Sequence, residues 1–486
     1  MKKKGIFHYA AFCLMLLLLM VPEVRAGWED MEVLNYYFEI DTTPRHQWYP
    51  WFKYNPIDNE FMGFWRTDGI LRDDCEEGDD YDCTHNFNSI DGRRISPEGE
   101  ILGEIQLFSP NVDLEENGPR LAHNMLTNEY LVATPVVQSA TTPYELHMTV
   151  IDNVGNIKYG PEPIYPGGGG TVMIPVVFYN AKRREYLVLY NDKVFNSYLN
   201  NVGFILNEDG TTKHGPFEIC NEVGDQFAQR IAYNPKDDTY LVVWEDLRGV
   251  GTDWTSNCDI YGSLLDSSGG MITEIPVATA TSMEVDGDAR VPVPVYNPDK
   301  NEFLVIFKDI TDSFNDAAVL GRFINADGTF KGEPFVIIDE HRIQHWPDIE
   351  YIEEEKKYFM VWNDTRDDGL AKGDPFYIST DIDVYGIWLD DTGSPIGEEV
   401  IIADAIEWQM TPVMAYNPVM KRFLITWYDR NDLDDYSRDV GPMVPFAGST
   451  SDIRGTIYGI PSFLSGQVVD KETGSPVEDA RVLVIG

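Results

Sequence analysis

The sequence predicts an all-β fold, a seven-bladed β-propeller with four-stranded blades, on three observations. One phrase built around Tyr-Asn-Pro and Leu-Val-x-Trp-x-Asp occurs seven times, a second phrase with Asp-x-Tyr-Gly follows it, and the strand missing from the last unit stands before the first. Residues 233–249 read YNPKDDTYLVVWEDLRG, and related runs begin at 54, 123, 179, 296, 351 and 416. The second phrase is clearest at 259–272 (DIYGSLLDSSGGMI), 318–337 and 383–402. Short β-branched and aromatic runs separated by Asn-Pro and Asp-Gly turn signals read as four strands per unit. Four strands in about 60 residues, repeated, fit propeller blades better than a sandwich or a solenoid.

The ends of the repeat supply the check. The seventh unit runs through DIRGTIYG (452–459) into Ile460-Pro461 without a fourth strand. Residues 35–56, before the first Tyr-Asn-Pro, align with 398–418, so Tyr36–Ile40 is expected to complete the seventh blade and close the ring. Closure removes the exposed sheet edges that invite aggregation.

The N-terminus reads as a secretory signal peptide over residues 1–26. Lys2, Lys3 and Lys4 precede an apolar run around Leu16–Leu19, and Val24-Arg25-Ala26 places cleavage before Gly27. That run is short for a membrane span. The protein is therefore expected to be exported, to an extracellular, cell-surface or periplasmic location, without membrane insertion. The chain carries a net charge of −44 at pH 7, which disfavours nucleic acid and anionic lipid as partners and favours divalent cations or basic surfaces. With 43% apolar and 13% aromatic residues it can bury a large core.

The repeats resemble those of secreted bacterial and archaeal propellers with WD40-like blade topology and the pattern YNPxxxEYLVVWxD…DIYGxxLDxxG. The resemblance covers residues 35–461, within a propeller domain placed at 27–461, and implies a monomeric propeller without implying an activity. Residues 465–486, SGQVVDKETGSPVEDARVLVIG, resemble the opening two strands of a carboxypeptidase-regulatory-like, transthyretin-type β-sandwich, so 462–486 is read as the truncated start of such a domain.

The blade topology implied by the resemblance puts the loops at 66–88, 245–258, 363–382 and 428–451 on one face, opposite the short Asn-Pro and Asp-Gly turns. Long irregular loops on a rigid scaffold are where function concentrates, so this acidic face is the candidate ligand face. Trp-x-Asp with a nearby Arg recurs as Asp246 and Arg248, Asp364 and Arg366, and Asp429 and Arg430. A constellation repeated across blades is more readily blade architecture than one active site; as a ligand-binding set it would work with Trp254, Trp346 and Trp408 stacking on sugars. Those indoles are equally suited to packing between blades. Asp73, Asp74, Asp79 and Asp80, with Asp432, Asp434 and Asp435, offer hard oxygen ligands suited to Ca²⁺, although neither run has EF-hand spacing and a solvated acidic loop explains both. His46, His85, His341 and His345 are weak metal candidates. Cys75 and Cys83 enclose one acidic loop, and Cys220 and Cys258 fall on one face in neighbouring positions, so two disulfides are expected.

Catalytic motifs are absent: there is no Gly-x-Ser-x-Gly elbow, no His-Glu-x-x-His and no phosphate-cradling glycine loop. The leading expectation is a non-catalytic binding or surface-interaction propeller with a glycan or protein ligand on the acidic loop face, assisted by Ca²⁺ and with no other cofactor. The alternative is a propeller-type polysaccharide hydrolase or lyase, which a deep axial pocket with converging carboxylates would favour. A third reading makes the propeller a spacer in a larger surface chain.

Overall fold

The computed structural model describes residues 27–43, 46–67, 89–107, 118–136, 145–164, 175–193, 197–248, 258–279, 288–310, 317–340, 343–366, 382–405, 408–430 and 451–461. These form 28 strands in seven four-stranded antiparallel sheets, with a single 3₁₀ turn at Trp28–Asp30 among the described residues. Blades one to six span residues 47–106, 120–163, 176–220, 226–278, 288–338 and 344–403 in strand order. Blade seven takes three strands from Trp408–Gly459 and its fourth from Glu32–Asp41. That strand pairs antiparallel with Ser451–Gly459 from Glu32↔Gly459 to Asp41↔Ile453. It is longer than the expected Tyr36–Ile40 and closes the ring as the alignment of the two chain ends requires.

Burial follows strand position. The second strands of blades three, four and five, Glu185–Asp192, Thr239–Asp246 and Glu302–Ile310, are buried at every residue. Fourth strands such as Ile101–Gln106 are mostly exposed. This explains the near-continuous apolar runs in the first phrase and the polar alternation near the end of the second. Each of the seven junctions between neighbouring blades has its own apolar cluster. The junction of blades seven and one joins Ile40, Phe52, Trp65, Leu424 and Ile457.

The Tyr-Asn-Pro asparagine ties these blades together. Asn55, Asn124, Asn234 and Asn417 each accept two backbone N–H groups of their own turn on Oδ1. Their Nδ2 groups reach the next blade: Asn55 donates to Asn128 (2.9 Å), Asn234 to Asn301 (3.1 Å), Asn417 to Asn59 (2.9 Å) and Asn124 to Glu208 (3.3 Å). The acceptors Asn59, Asn128 and Asn301 end their own turns in the left-handed region, φ 53–56°, a conformation asparagine tolerates better than most residues. Blade six has Ile352 where the others carry asparagine; there Lys421 pairs with Glu355 at 2.6 Å instead.

Asn234→Ala removes both turn bonds and the link to Asn301, so urea unfolding should show a loss of about 1–3 kcal/mol. Asn325→Ala, in an exposed turn bonded to Thr329, should cost less than about 0.5 kcal/mol.

Candidate functional site at the propeller axis

The Trp-x-Asp-Arg sets lie inside their blades. Trp244 Nε1 donates to Asp246 (2.8 Å), and Arg248 clasps the same carboxylate, reaches Glu274 at 2.9 Å and stacks 3.6 Å from the Tyr261 ring centroid. Blade six repeats this with Trp362, Asp364, Arg366, Glu399 and Tyr385. In blade one Thr67 replaces the aspartate, and Asp41 of the closing strand accepts from Trp65 at 3.1 Å. In blade seven Asp429 pairs with Arg454 (2.8 Å) and accepts from Gln409, while the Arg430 side chain lies outside the described structure. In blades four and six these groups join strands two, three and four of one blade to each other, whereas Asp41 links blade seven to blade one. Trp408 is 2% exposed, within the ring.

Trp254, Asp73, Asp74, Asp79, Asp80, Asp432, Asp434 and Asp435 lie outside the described residues, as do Cys75 and Cys83. Among the described residues no group of three or more His, Cys, Asp or Glu is arranged to hold a metal ion. The expected Cys220–Cys258 bridge is corrected: the two cysteines form no disulfide with each other, and both are buried. They pack in different places, Cys220 at the junction of blades three and four and Cys258 with Phe227, Ala228 and Leu247. Cys258 Sγ donates to the Asp246 carbonyl at 3.7 Å, while burial pushes the Cys220 thiol up to about 12.

The charged groups that do converge stand on the first strands, around the axis. In five blades the first strand is broken by a bulge, with register shifts at Trp48/Trp51, Phe227/Arg230, Arg290/Val293, His345/Asp348 and Met410/Val413. Each bulge holds a residue in the left-handed region: Tyr49, Ala228, Val291, Trp346 and Thr411. Val291 and Thr411 are β-branched, so their φ of 53° and 49° stores strain of the order of 1–3 kcal/mol each. Pro50, Pro292, Pro347 and Pro412 follow four of them, where a missing N–H is harmless. Polar side chains of the preceding blade hold the bulges: Glu245 accepts from Val291 N–H (2.9 Å), and Asn363 from Thr411 N–H (2.9 Å). Bulges of this kind re-aim side chains and recur beside functional sites.

Four residues before the turn asparagine, three blades carry valine: Val176, Val293 and Val413. The equivalent positions in blades one, two, four and six carry Trp51, Arg120, Arg230 and Asp348. Two residues further on stand Lys53 and Glu350. The Arg120 guanidinium lies 4.4 Å from the Trp51 ring centroid, that of Arg230 5.7 Å, and Lys53 Nζ 5.7 Å. Blades one and four are not neighbours, so the contact of Arg230 with Trp51 crosses the axis. Arg120 is 7% exposed; Trp51, Lys53, Arg230, Asp348 and Glu350 are half-buried.

Arg120 Nη1 donates to the Pro119 and Gly118 carbonyls, and Arg230 Nη1 to the Gln229 carbonyl. Neither guanidinium forms an ion pair with a described carboxylate. Burial, reinforced by repulsion from Arg230, pushes Arg120 down to about 9. Burial also lowers Arg230, against the attraction of Asp348 and Glu245. Burial raises Asp348 despite a 3.0 Å hydrogen bond from Met414 N–H and nearby Lys53 and Arg230. Glu350 is pushed up to about 7 by burial, opposed by Lys53 and assisted by Asp348. His345, near the bulge of blade six, is held neutral by burial with Lys308 and Arg290 close by, and stacks on Trp346 at 4.7 Å. Trp346 thus belongs to the axial end of its blade.

No protein-family model matches this chain, and no curated protein matches it. Among solved structures it is similar to a protein of unknown function from Dyadobacter fermentans (10% identity, 89% of this chain and 100% of that one, TM-score 0.48). It is also similar to the α-L-arabinofuranosidase of Fusarium graminearum (9%, 88% and 98%, TM-score 0.42) and the phage phi92 endosialidase (9%, 91% and 72%, TM-score 0.48). At these identities the likeness concerns the propeller fold alone.

The folded chain keeps a proton on Glu350 that the unfolded chain releases near 4.5. The native state therefore binds more protons between about pH 4.5 and 7, and this group's contribution to stability falls as pH rises through that window. Glu350→Gln should leave stability unchanged at pH 4 and raise it by about 2 kcal/mol at pH 8, read by chemical denaturation at both values.

Proposed function

We propose that the protein is an exported binding propeller that takes its ligand at the axis rather than on the blade-internal Trp-x-Asp-Arg sets. One observation carries this reading: four topologically equivalent positions that are valine in the other blades are Trp51, Arg120, Arg230 and Asp348. Apolar side chains there would pack the ring more cheaply, because a buried charge without a partner costs several kcal/mol. Bulged first strands carry three of the four, Trp51, Arg230 and Asp348, each with a left-handed residue just before it. The glycan or protein ligand expected from the sequence would approach across the acidic loop face, on which the first strands begin.

A second reading is acid–base chemistry on a glycoside, favoured by the carboxyls of Asp348 and Glu350. They stand two residues apart on one strand, so both side chains belong to the same face of it, and a pair of carboxyls is what glycoside hydrolysis uses. In that reaction Glu350 would give its proton to the departing glycosidic oxygen. Asp348 would take a proton from the water that adds to the anomeric carbon. A carboxyl titrating near neutrality suits the acid role.

A glycan array followed by titration of the best binder tests both. Trp51→Ala and Arg230→Ala should each weaken binding at least about tenfold, while Glu274→Gln, at the half-exposed rim, should leave it unchanged. Equal binding by the axial variants and the native protein would refute the axial reading. Release of reducing ends by the native protein, lost in Glu350→Gln with binding retained, would establish the second reading.

A further inference from the structure

We propose that the axial cluster binds an acidic saccharide, its carboxylate between Arg120 and Arg230 and its hydroxyls toward Asp348 and Glu350; this rests on the axial reading above. Arg120 is more than nine-tenths buried and Arg230 lies against the same Trp51 indole, yet their hydrogen bonds go only to the nearby carbonyls of Gly118, Pro119 and Gln229. Two guanidiniums that repel each other in a poorly hydrated site call for a shared anion. No described carboxylate supplies it by direct contact, and Asp348 acts on both arginines only at longer range.

The rest of the cluster narrows the ligand. A bare inorganic anion would meet Asp348 and Glu350 as well as the arginines, and these carboxyls would oppose it. A ligand with an anionic group at one end and hydroxyls at the other meets both sets, the hydroxyls donating to the carboxyl oxygens. A zwitterion such as an amino acid would bring an ammonium to those carboxyls, but Lys53 already provides a cation beside both. Hydroxyl donors therefore suit that end better, and the Trp51 indole adds an apolar wall of the kind sugar rings meet.

The charge of the whole chain gives this site an unusual signature. At −44 the surface repels an anionic ligand, and the repulsion is long-ranged at low salt, with a Debye length of about 30 Å at 0.01 M and about 8 Å at 0.15 M. Contacts deep at the axis are screened far less. Association with an acidic saccharide should accelerate on raising salt through that range, the reverse of binding to a basic surface patch.

Calorimetric titration of the full chain with glucuronate, glucose, sulfate, phosphate and glutamate tests the proposal. Glucuronate should bind, glucose should bind at least about tenfold more weakly, and Arg120→Met and Arg230→Met should each lose about 10–100-fold. Arg230→Lys, which keeps the charge, should retain part of the affinity; thermal unfolding of each variant checks that it folds. Equal binding of glucose and glucuronate, lost in Trp51→Ala, would overturn the ligand class and leave the axial site standing. Sulfate or phosphate binding as well as glucuronate would replace the saccharide with a simple anion, and preference for glutamate would replace it with a zwitterion. Glucuronate binding that survives both arginine variants, or slows as salt rises, would refute the proposal. Failure of all five probes to bind would refute it and count against the axial reading itself.

Discussion

In blades one, four and seven the asparagine that opens the turn after the first strand performs two tasks at once, and those junctions depend on both. Its Oδ1 accepts backbone N–H groups of its own turn, while its Nδ2 bonds the left-handed residue that ends the turn of the next blade. A blade is thereby fixed in its own hairpin and in its angle to its neighbour by one side chain. The apolar clusters at all seven junctions provide the burial, but contacts of that kind are non-directional. The belt of asparagines gives the direction. Closure by the N-terminal strand completes the arrangement, and Asp41 on that strand replaces the aspartate that blade one lacks. The chain end is thus tied to blade one as well as to blade seven.

A ring held together at its junctions and at one face leaves the opposite half of its first strands free to depart from regularity. That is where the bulges and left-handed residues occur, braced by Glu245 and Asn363 from preceding blades. It is also where four blades exchange valine for charged or aromatic residues. The axis therefore combines features that cost stability: strain, two guanidiniums without a carboxylate contact among the described residues, and an acid whose proton is retained to about pH 7. Sites that bind or react are where such costs are commonly found.

The blade count, the four-stranded sheets and the closing strand were legible because each blade repeats the same phrase, and one missing strand could be matched to one orphan. The role of the Trp-x-Asp-Arg sets as blade architecture was legible from their repetition as well, for several copies do not make one site. The axial cluster was not read, although the signal is present. Aligning the seven turns puts Val176, Val293 and Val413 in register with Trp51, Arg120, Arg230 and Asp348, and Gln-x-x-Pro recurs at 47–50, 344–347 and 409–412. Each is a single departure inside an apolar strand, and only the ring brings them together. The cysteines failed for a related reason. Cys220 and Cys258 share a face of the propeller, but sequence does not say which apolar cluster each thiol enters.

A crystal structure of the protein grown with a glucuronate-bearing disaccharide tests the central claim most directly. The account predicts density at the axis, with the carboxylate held by Arg120 and Arg230 and the sugar beside Trp51. A ligand seated at the rim of a blade, on the Arg248 or Arg366 clusters, with the axis left to Trp51 and its cations, would contradict it.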